Sequence, residues 1–322
     1  MGDINIYHSW RPNKCASEGA NMYHEAVVDT SWYYDNLIYM VNMVNKIVKT
    51  DDVVVDFGAG TGISALFLLK NSIKSFKIFL VDNSPSWLCK AYELLGDNPD
   101  IDFFILEKKG DGYLTLAETI GNERADIVIS ANTFHLIPNL NDTFKGIYDS
   151  LKKSGTLIIQ SGNIIRKGRP EGVMMIDNTV ENVHNIAIEI IKSNKKYSIY
   201  AENIEECIKK ELSQRKMIFP DPRPVETYID VLKSVGFECG GYQHKEIKVK
   251  YEDWKKFLRI KRVQAGILPE IGGKNPSKDD ENIRDEIVTM AIDQLFGDMK
   301  KNNSIANHDY FTAEWIYIDA HK

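Results

Sequence analysis

The sequence lacks a hydrophobic run long enough to cross a bilayer, and its start lacks the basic and then apolar pattern of a secretory signal. It contains only four cysteines among 322 residues. They lie far apart, so none of them forms a pair with the spacing of metal ligands. These absences predict a cytoplasmic protein with free thiols and no bound metal.

Long basic runs are also absent. Asp and Glu number 46 against 40 Lys and Arg, which gives a formal net charge of −6. A nucleic-acid backbone requires a positive surface, so this charge argues against nucleic acid as a partner. Hydrophobic residues make up 43% of the chain, enough for a sizeable core. We therefore expect a globular monomer or homodimer that acts on a small molecule and binds neither nucleic acid nor membrane.

A glycine-rich stretch directly follows a short apolar run. Residues 53–55 are all valine and predict a strand that is buried on both faces, as in a parallel sheet. After Asp56 come three glycines at alternate positions: Gly58, Gly60 and Gly62. Glycine lets a ligand approach the main chain closely. Residues 63–70 predict a helix, so the loop joins the end of a strand to the start of a helix, where open α/β sheets bind nucleotides.

Two classes of ligand use such a loop, and the sequence favours one of them. In the dinucleotide fingerprint the third glycine would fall at Ile63, and the loop would carry no anion. Here Asp56 precedes the loop, and its carboxylate would repel a diphosphate. The same carboxylate suits a ligand that has an ammonium group and no phosphate, such as S-adenosylmethionine.

Further polar residues follow the next predicted strands. Residues 76–81 end in Asp82, about 20 residues beyond the loop, where nucleotide-binding sheets place an acid that binds ribose. After a third apolar segment, a Gly-Asp-Gly turn can hold Asp111 over an adenine edge. The fourth predicted strand, residues 126–130, leads to Asn132 and His135.

In this order the motifs resemble the class I S-adenosylmethionine-dependent methyltransferases, particularly their small-molecule branch. The resemblance implies an α/β fold with a Rossmann-like, mostly parallel seven-stranded sheet, an antiparallel last strand and helical insertions. It implies S-adenosylmethionine as the cofactor, with Asp56 and the glycines at the methionine part, Asp82 at the ribose and Asp111 at the adenine. The full set of expected cofactor-binding residues is Asp56, Gly58, Ala59, Gly60, Gly62, Asp82, Asn83, Asp111, Gly112 and Asn132.

The elements divide the chain into four expected parts. Residues 1–50 form an amino-terminal arm and helices, in which Tyr7 and Trp10 suggest either a lid over the cleft or a terminal strap. Residues 51–162 form the cofactor-binding core, and 163–223 a helical insertion. Residues 224–322 complete the sheet and contain a second helical insertion, about 252–306, which the resemblance assigns as a substrate cover.

The expected reaction is transfer of a methyl group by in-line displacement to an oxygen or nitrogen atom of a small molecule, with carbon as a further option. Alignment of the reactants supplies much of the rate, and a base is needed only for a protonated acceptor. His135 is the candidate base, with a packing role as the alternative.

Two arginines are candidates for substrate binding. Arg259 and Arg262 are expected on one side of a helix that begins at Trp254, where they would bind a carboxylate or phosphate or else form a solvated face. Aromatic residues before the first strand suggest either an apolar or cation-binding pocket or ordinary core packing: Tyr23, Trp32 and Tyr33.

Two other functions stay open at this stage. One is a non-catalytic partner subunit or sensor that binds S-adenosylmethionine with the same fold. The other is a nicotinamide-dependent dehydrogenase, which the missing third glycine disfavours.

Overall fold

A computed structural model describes residues 9–302 and 309–322 of the chain. Its centre is a sheet whose main path contains seven strands. They are β1 Val53–Phe57, β2 Lys77–Asp82, β3 Ile101–Ile105, β4 Ala125–Ala131, β5 Leu151–Ser161, β6 Tyr242–Lys250 and β7 Tyr310–His321.

The strand order along the sheet is β6-β7-β5-β4-β1-β2-β3. Strands β1 to β5 pair in parallel with one another, whereas β7 runs antiparallel to both β5 and β6. The expected mostly parallel seven-stranded sheet with an antiparallel last strand is therefore confirmed. A two-residue strand, Val173–Met174, adds to β7 beside this path.

The sheet is buried on both faces, as the valine run predicts. In β1, Val54 packs into one hydrophobic core and Val55 into the other, because successive side chains point to opposite faces. One face is covered by α5 Leu116–Ile120, α6 Leu140–Ser150 and α10 Val225–Val235. The remaining helices contribute apolar residues to the opposite core, and those of α8 are only partly buried: α1 Glu18–Val27, α2 Ser31–Ile47, α3 Ile63–Asn71, α4 Pro85–Leu95, α7 Ile176–Ser193, α8 Ser198–Ala201, α9 Ile204–Ile218, α11 Tyr251–Leu258, α12 Lys261–Ile267 and α13 Lys278–Asn302.

The helices after β5 and those after β6 pack against each other. The indole Nε1 of Trp254 donates to Thr179 Oγ1 at 2.9 Å, and His184 Nε2 lies 3.1 Å from Glu270 Oε1. Both contacts are buried and join α7 to the segment that follows β6. The two stretches therefore form one helical layer.

One expectation about this layer is wrong. The sequence predicts a single helix from Trp254 through both arginines, but the helix ends at Leu258 and a new one starts at Lys261. Arg259 lies in the break with φ −88° and ψ 0°, and Ile260 is extended. Ile260 is buried in the break, so apolar packing is kept while the helix axis is interrupted.

The described part of the arm is attached to the edge of the sheet. The backbone N–H of Trp10 donates to the carbonyl of Phe103 in β3 at 2.6 Å, and Phe103 N–H donates to Ser9 Oγ at 3.0 Å. These bonds correspond to a strap, whereas Tyr7 lies outside the described residues.

Within residues 9–302 and 309–322, no helix has both the length and the apolar composition needed to span a membrane. All four cysteines are free. The same residues contain no group of three His, Cys, Asp or Glu side chains that could hold a metal ion.

Candidate functional site

The glycine loop follows β1 in a conformation that depends on its glycines. Gly58, Gly60 and Gly62 have φ values of +74°, +55° and +78°, which other residues rarely adopt. A Cβ atom at Gly58 would lie 2.4 Å from the side chain of Thr133, which follows β4. The loop is therefore packed tightly against the end of the neighbouring strand.

Asp82, at the end of β2, is fixed by this loop. Its Oδ2 accepts a hydrogen bond from Gly60 N–H at 2.8 Å, and its Oδ1 accepts one from Ser84 N–H at 2.8 Å. Burial raises the pKa of the Asp82 carboxyl, and these backbone hydrogen bonds oppose the rise. Each carboxylate oxygen can accept a further hydrogen bond, so two adjacent hydroxyl groups can be bound here.

Asp56 lies beneath the loop with 1% of its surface exposed. Its Oδ2 is buried and has no hydrogen-bond partner among the described residues. Burial, followed by the charge of Asp82, raises the pKa of the Asp56 carboxyl to about 7. An unpaired buried carboxyl beside a second acid favours a positively charged ligand.

A cavity of about 750 Å³ opens above the loop, at the carboxyl ends of the parallel strands. This volume is within the range of ligand pockets in proteins. One part is lined by the loop residues Gly58 to Thr61, by Asp82 to Ser84 and by the indole of Trp87. The other part is lined by aromatic side chains from the helices and from β7, among them Trp32, Trp254, Phe257 and Trp315.

The end of β4 contributes Asn132 and His135 to the cavity wall. Asn132 has a φ of +51°, and its Oδ1 accepts a hydrogen bond from Gly162 N–H at 3.2 Å. His135 Nδ1 lies 3.2 Å from Ser161 Oγ. Burial, and then the charge of Arg223, lowers the pKa of His135 to about 4. The ring is therefore neutral near pH 7 and has little tendency to take up a proton.

Seven of the ten residues expected at the cofactor line this cavity, and three do not, namely Asp56, Gly62 and Asp111. Asp56 lies below the cavity, and Asp111 is exposed on a hairpin turn while Gly112 beside it lines the wall. Asp111 follows a two-residue strand, Lys108–Lys109, that pairs with Gly112–Tyr113. The turn carries its side chain into solvent.

The two candidate arginines are separated. Arg259 forms two hydrogen bonds with the carboxylate of Asp285, at 3.0 and 2.7 Å, and does not line the cavity. Arg262 does line it, and its guanidinium carbon lies 5.2 Å from the centre of the Trp87 ring. The break between α11 and α12 produces this separation.

Several residues that line the cavity are not predicted from the sequence. Asp177, at the start of α7, has an 8% exposed side chain, and Asn163 follows β5. Trp254 and Trp315 come from segments 61 positions apart in the sequence. No motif marks these residues, because the helical layer and not local spacing brings them together. Trp87 is different, since it follows the Ser-Pro helix start directly after the predicted ribose acid.

Comparison with known proteins places the chain in a wider group. The model of a family described as a methyltransferase domain matches residues 48–218. No curated protein sequence shows significant similarity to the chain.

Solved structures share the fold at low sequence identity. A putative sarcosine dimethylglycine methyltransferase from Galdieria sulphuraria is 12% identical, with a TM-score of 0.50 over 95% of this chain and 98% of that one. The [4+2]-cyclase SpnF is also 12% identical, with a TM-score of 0.50 over 98% and 88%. Phosphoethanolamine N-methyltransferase 2 from Haemonchus contortus is 16% identical, with a TM-score of 0.48 over 94% of this chain, which spans only 57% of that protein's length.

Proposed function

The chain belongs to the methyltransferase-domain family, whose model spans more than half of it, and we propose that it methylates an oxygen or nitrogen atom of a small molecule. Members of this family are S-adenosylmethionine-dependent enzymes. The cofactor, when bound, supplies a methyl group on a sulfonium. Our proposal concerns the identity of the methyl acceptor and the residues that contact it.

The proposal rests on a single observation. One continuous cavity contains both the glycine loop with its acid and a separate wall of aromatic side chains. Two reactants can therefore be held side by side, as a direct transfer between them requires. The cavity volume of about 750 Å³ is large enough for a nucleoside-type cofactor with a small acceptor.

The residues around the loop fit S-adenosylmethionine. We assign the ribose hydroxyls to Asp82, whose two oxygens are oriented by Gly60 and Ser84. The buried, unpaired carboxyl of Asp56 suits the positive charge of the methionine part. The Trp87 indole lies close to the loop, since a Cβ atom added to Gly60 would be 3.4 Å from its ring. We assign the adenine to the wall that contains Gly112, and not to the exposed Asp111.

The chain's own contribution is alignment and the exclusion of water. Holding two reactants in a near-attack geometry supplies up to about 7–11 kcal/mol of the barrier. We assign this task to the helical layer formed by residues 163–223 and 252–302, which lies over the acceptor side of the cavity. His135 serves in this proposal as a neutral hydrogen-bonding wall residue, because its pKa is lowered to about 4.

The test has two stages. Titration calorimetry with S-adenosylmethionine, S-adenosylhomocysteine and NAD is expected to show binding of the first two, which the Asp82→Ala variant weakens, and no binding of NAD. The protein is then incubated with methyl-labelled S-adenosylmethionine and a whole-cell extract. Labelled products are separated into small-molecule and macromolecular fractions and identified by mass spectrometry. We expect a labelled small molecule whose formation stops in the variant.

The outcomes separate the candidate functions. Binding without any labelled product would support the non-catalytic partner subunit or sensor. Binding of NAD in place of S-adenosylmethionine would overturn both proposals. Labelled product in a macromolecular fraction alone would refute the small-molecule acceptor.

A further inference from the structure

The cavity is lined by a carboxylate outside the glycine loop that no motif predicts. Asp177 lies in the first turn of α7 with 8% of its surface exposed. Its Oδ1 is buried without a hydrogen-bond partner among the described residues, and the residue lines the cavity. Buried polar atoms in folded proteins are almost always paired, so an unpaired one at a cavity indicates a bound group.

The nearest basic side chains do not supply the missing partner. Arg215 in α9 forms hydrogen bonds with Glu181 through both terminal nitrogens, and Lys216 contacts Asp221. Within residues 9–302 and 309–322, no lysine, arginine or histidine lies within salt-bridge distance of Asp177. The carboxylate is therefore available for a cation from outside the chain.

Asp177 lies at the same edge of the sheet as the glycine loop. The N–H of Ile176 donates to the carbonyl of Gly162 at 3.3 Å, directly after β5. Asp177 N–H donates to Asn163 Oδ1 at 3.1 Å. Only β4 lies between β5 and β1 in the sheet. The carboxyl ends of β5 and β1 are therefore two strand spacings apart, which is about 10 Å. This separation suits a small acceptor next to the cofactor.

Aromatic rings line the cavity together with this carboxylate. The ring of Trp32 is stacked with Trp315 at a centroid distance of 5.8 Å and meets Trp254 edge-on at 5.2 Å. The faces of such rings attract cations, most strongly after water is removed. An anionic acceptor would instead be repelled by Asp177, and a neutral hydroxyl could donate a hydrogen bond to the carboxylate but would not neutralise its charge.

We propose that the acceptor is a small amine, bound as an ammonium ion by Asp177 and the aromatic wall of Trp32, Trp254 and Trp315, and that Asp177 removes its proton. This inference rests on the proposed methyltransferase function. An N–H bond of the ammonium breaks, the proton goes to the carboxylate of Asp177, and the electron pair stays on nitrogen. The free pair is what a nitrogen needs in order to accept a methyl group.

The electrostatics of Asp177 agree with this role. Burial, followed by the charge of Glu181, raises the pKa of Asp177 to about 7, while Lys216, Asn163 and Arg215 oppose the rise. A base works best when its pKa lies near the working pH. His135, with its pKa lowered to about 4, is a much weaker base in the same cavity.

The experiment uses the full chain saturated with S-adenosylhomocysteine at about pH 8, above the pKa of Asp177. Two cations, phenethylamine and tetramethylammonium, are titrated, with 2-phenylethanol as the uncharged analogue of the first. We expect phenethylamine to bind at least roughly tenfold more tightly than the alcohol. One contact between the ammonium and the carboxylate, together with one cation–π contact, supplies the binding free energy for this difference. In the Asp177→Asn variant the two affinities should become similar.

A matched control removes a different carboxylate of the same cavity. Asp142 is exposed at the cavity mouth, and the Asp142→Asn variant should keep the preference for the amine. Equal binding of amine and alcohol by the wild-type protein, failure of both cations to bind, or a preference that survives in Asp177→Asn would each overturn the proposal. The comparison of amine and alcohol binding by the wild-type protein tests the proposal even if the Asp177→Asn variant is unstable. Failure to bind S-adenosylhomocysteine would instead refute the proposed function itself.

Discussion

The Asp56→Asn substitution is expected to stabilise the free protein while weakening its cofactor binding. The Asp56 carboxyl is buried without a partner for Oδ2, and its pKa rises from 3.8 to about 7. The folded chain therefore holds this proton more tightly than the unfolded chain. The stability that the protonated form contributes is complete below the unfolded pKa and is lost as pH rises through about 7.

The size of the effect follows from these two pKa values. The difference between 3.8 and about 7 corresponds to about 4 kcal/mol of unfolding free energy when Asp56 is fully ionised. At about pH 5 only about 1.6 kcal/mol of this loss has developed, so the gain from Asn should be larger at about pH 8 by roughly 3 kcal/mol. Binding of S-adenosylmethionine should weaken, because the negative charge beneath the loop that attracts the positively charged methionine part is lost.

Urea denaturation without cofactor, followed by tryptophan fluorescence at both pH values, measures the stability difference. Calorimetry measures the cofactor affinity. Asp97→Asn is the matched control, since it makes the same charge change at an exposed position. An equal effect of Asp56→Asn at the two pH values would refute the electrostatic reasoning, and unchanged affinity would refute the role of Asp56 at the ligand.

Three further predictions concern the cofactor side and β4. Asp82→Ala should weaken S-adenosylmethionine binding by about 1.5–3 kcal/mol in calorimetry, and an unchanged dissociation constant would remove the ribose assignment. Gly58→Ala should abolish binding, because its Cβ would lie 2.4 Å from Thr133, whereas Gly110→Ala, with a similar φ but open space, should not. His135→Gln should retain at least about a tenth of kcat/KM, and a loss of about 10²–10⁴-fold would show that His135 is the base.

The sequence predicts best what neighbouring residues encode. Three features lie within about 30 positions of one another: the valine run, the glycine loop and Asp82. Each residue type suits its place for a physical reason, so the cofactor side of the cavity can be predicted from spacing alone. Gly236 ends α10 with a φ of +115°, as its position after a periodic apolar segment indicates.

The acceptor side could not be predicted in the same way. Asp177, Trp254 and Trp315 meet only because two helical stretches pack over the sheet, and nothing in their local sequence marks that contact. The low pKa of His135 depends on burial and on Arg223, which is 88 positions later in the chain. Tertiary structure thus determines the chemistry of this side.

The buried bond between Trp254 and Thr179 has a consequence for engineering and for divergence among relatives. It connects two inserted stretches that lie far apart in the sequence, and the His184 to Glu270 contact does the same. Exchanging one stretch for that of another enzyme would leave buried donors and acceptors without partners, which costs about 1–3 kcal/mol for each group. A chimera with altered acceptor choice therefore has to inherit both stretches from a single parent.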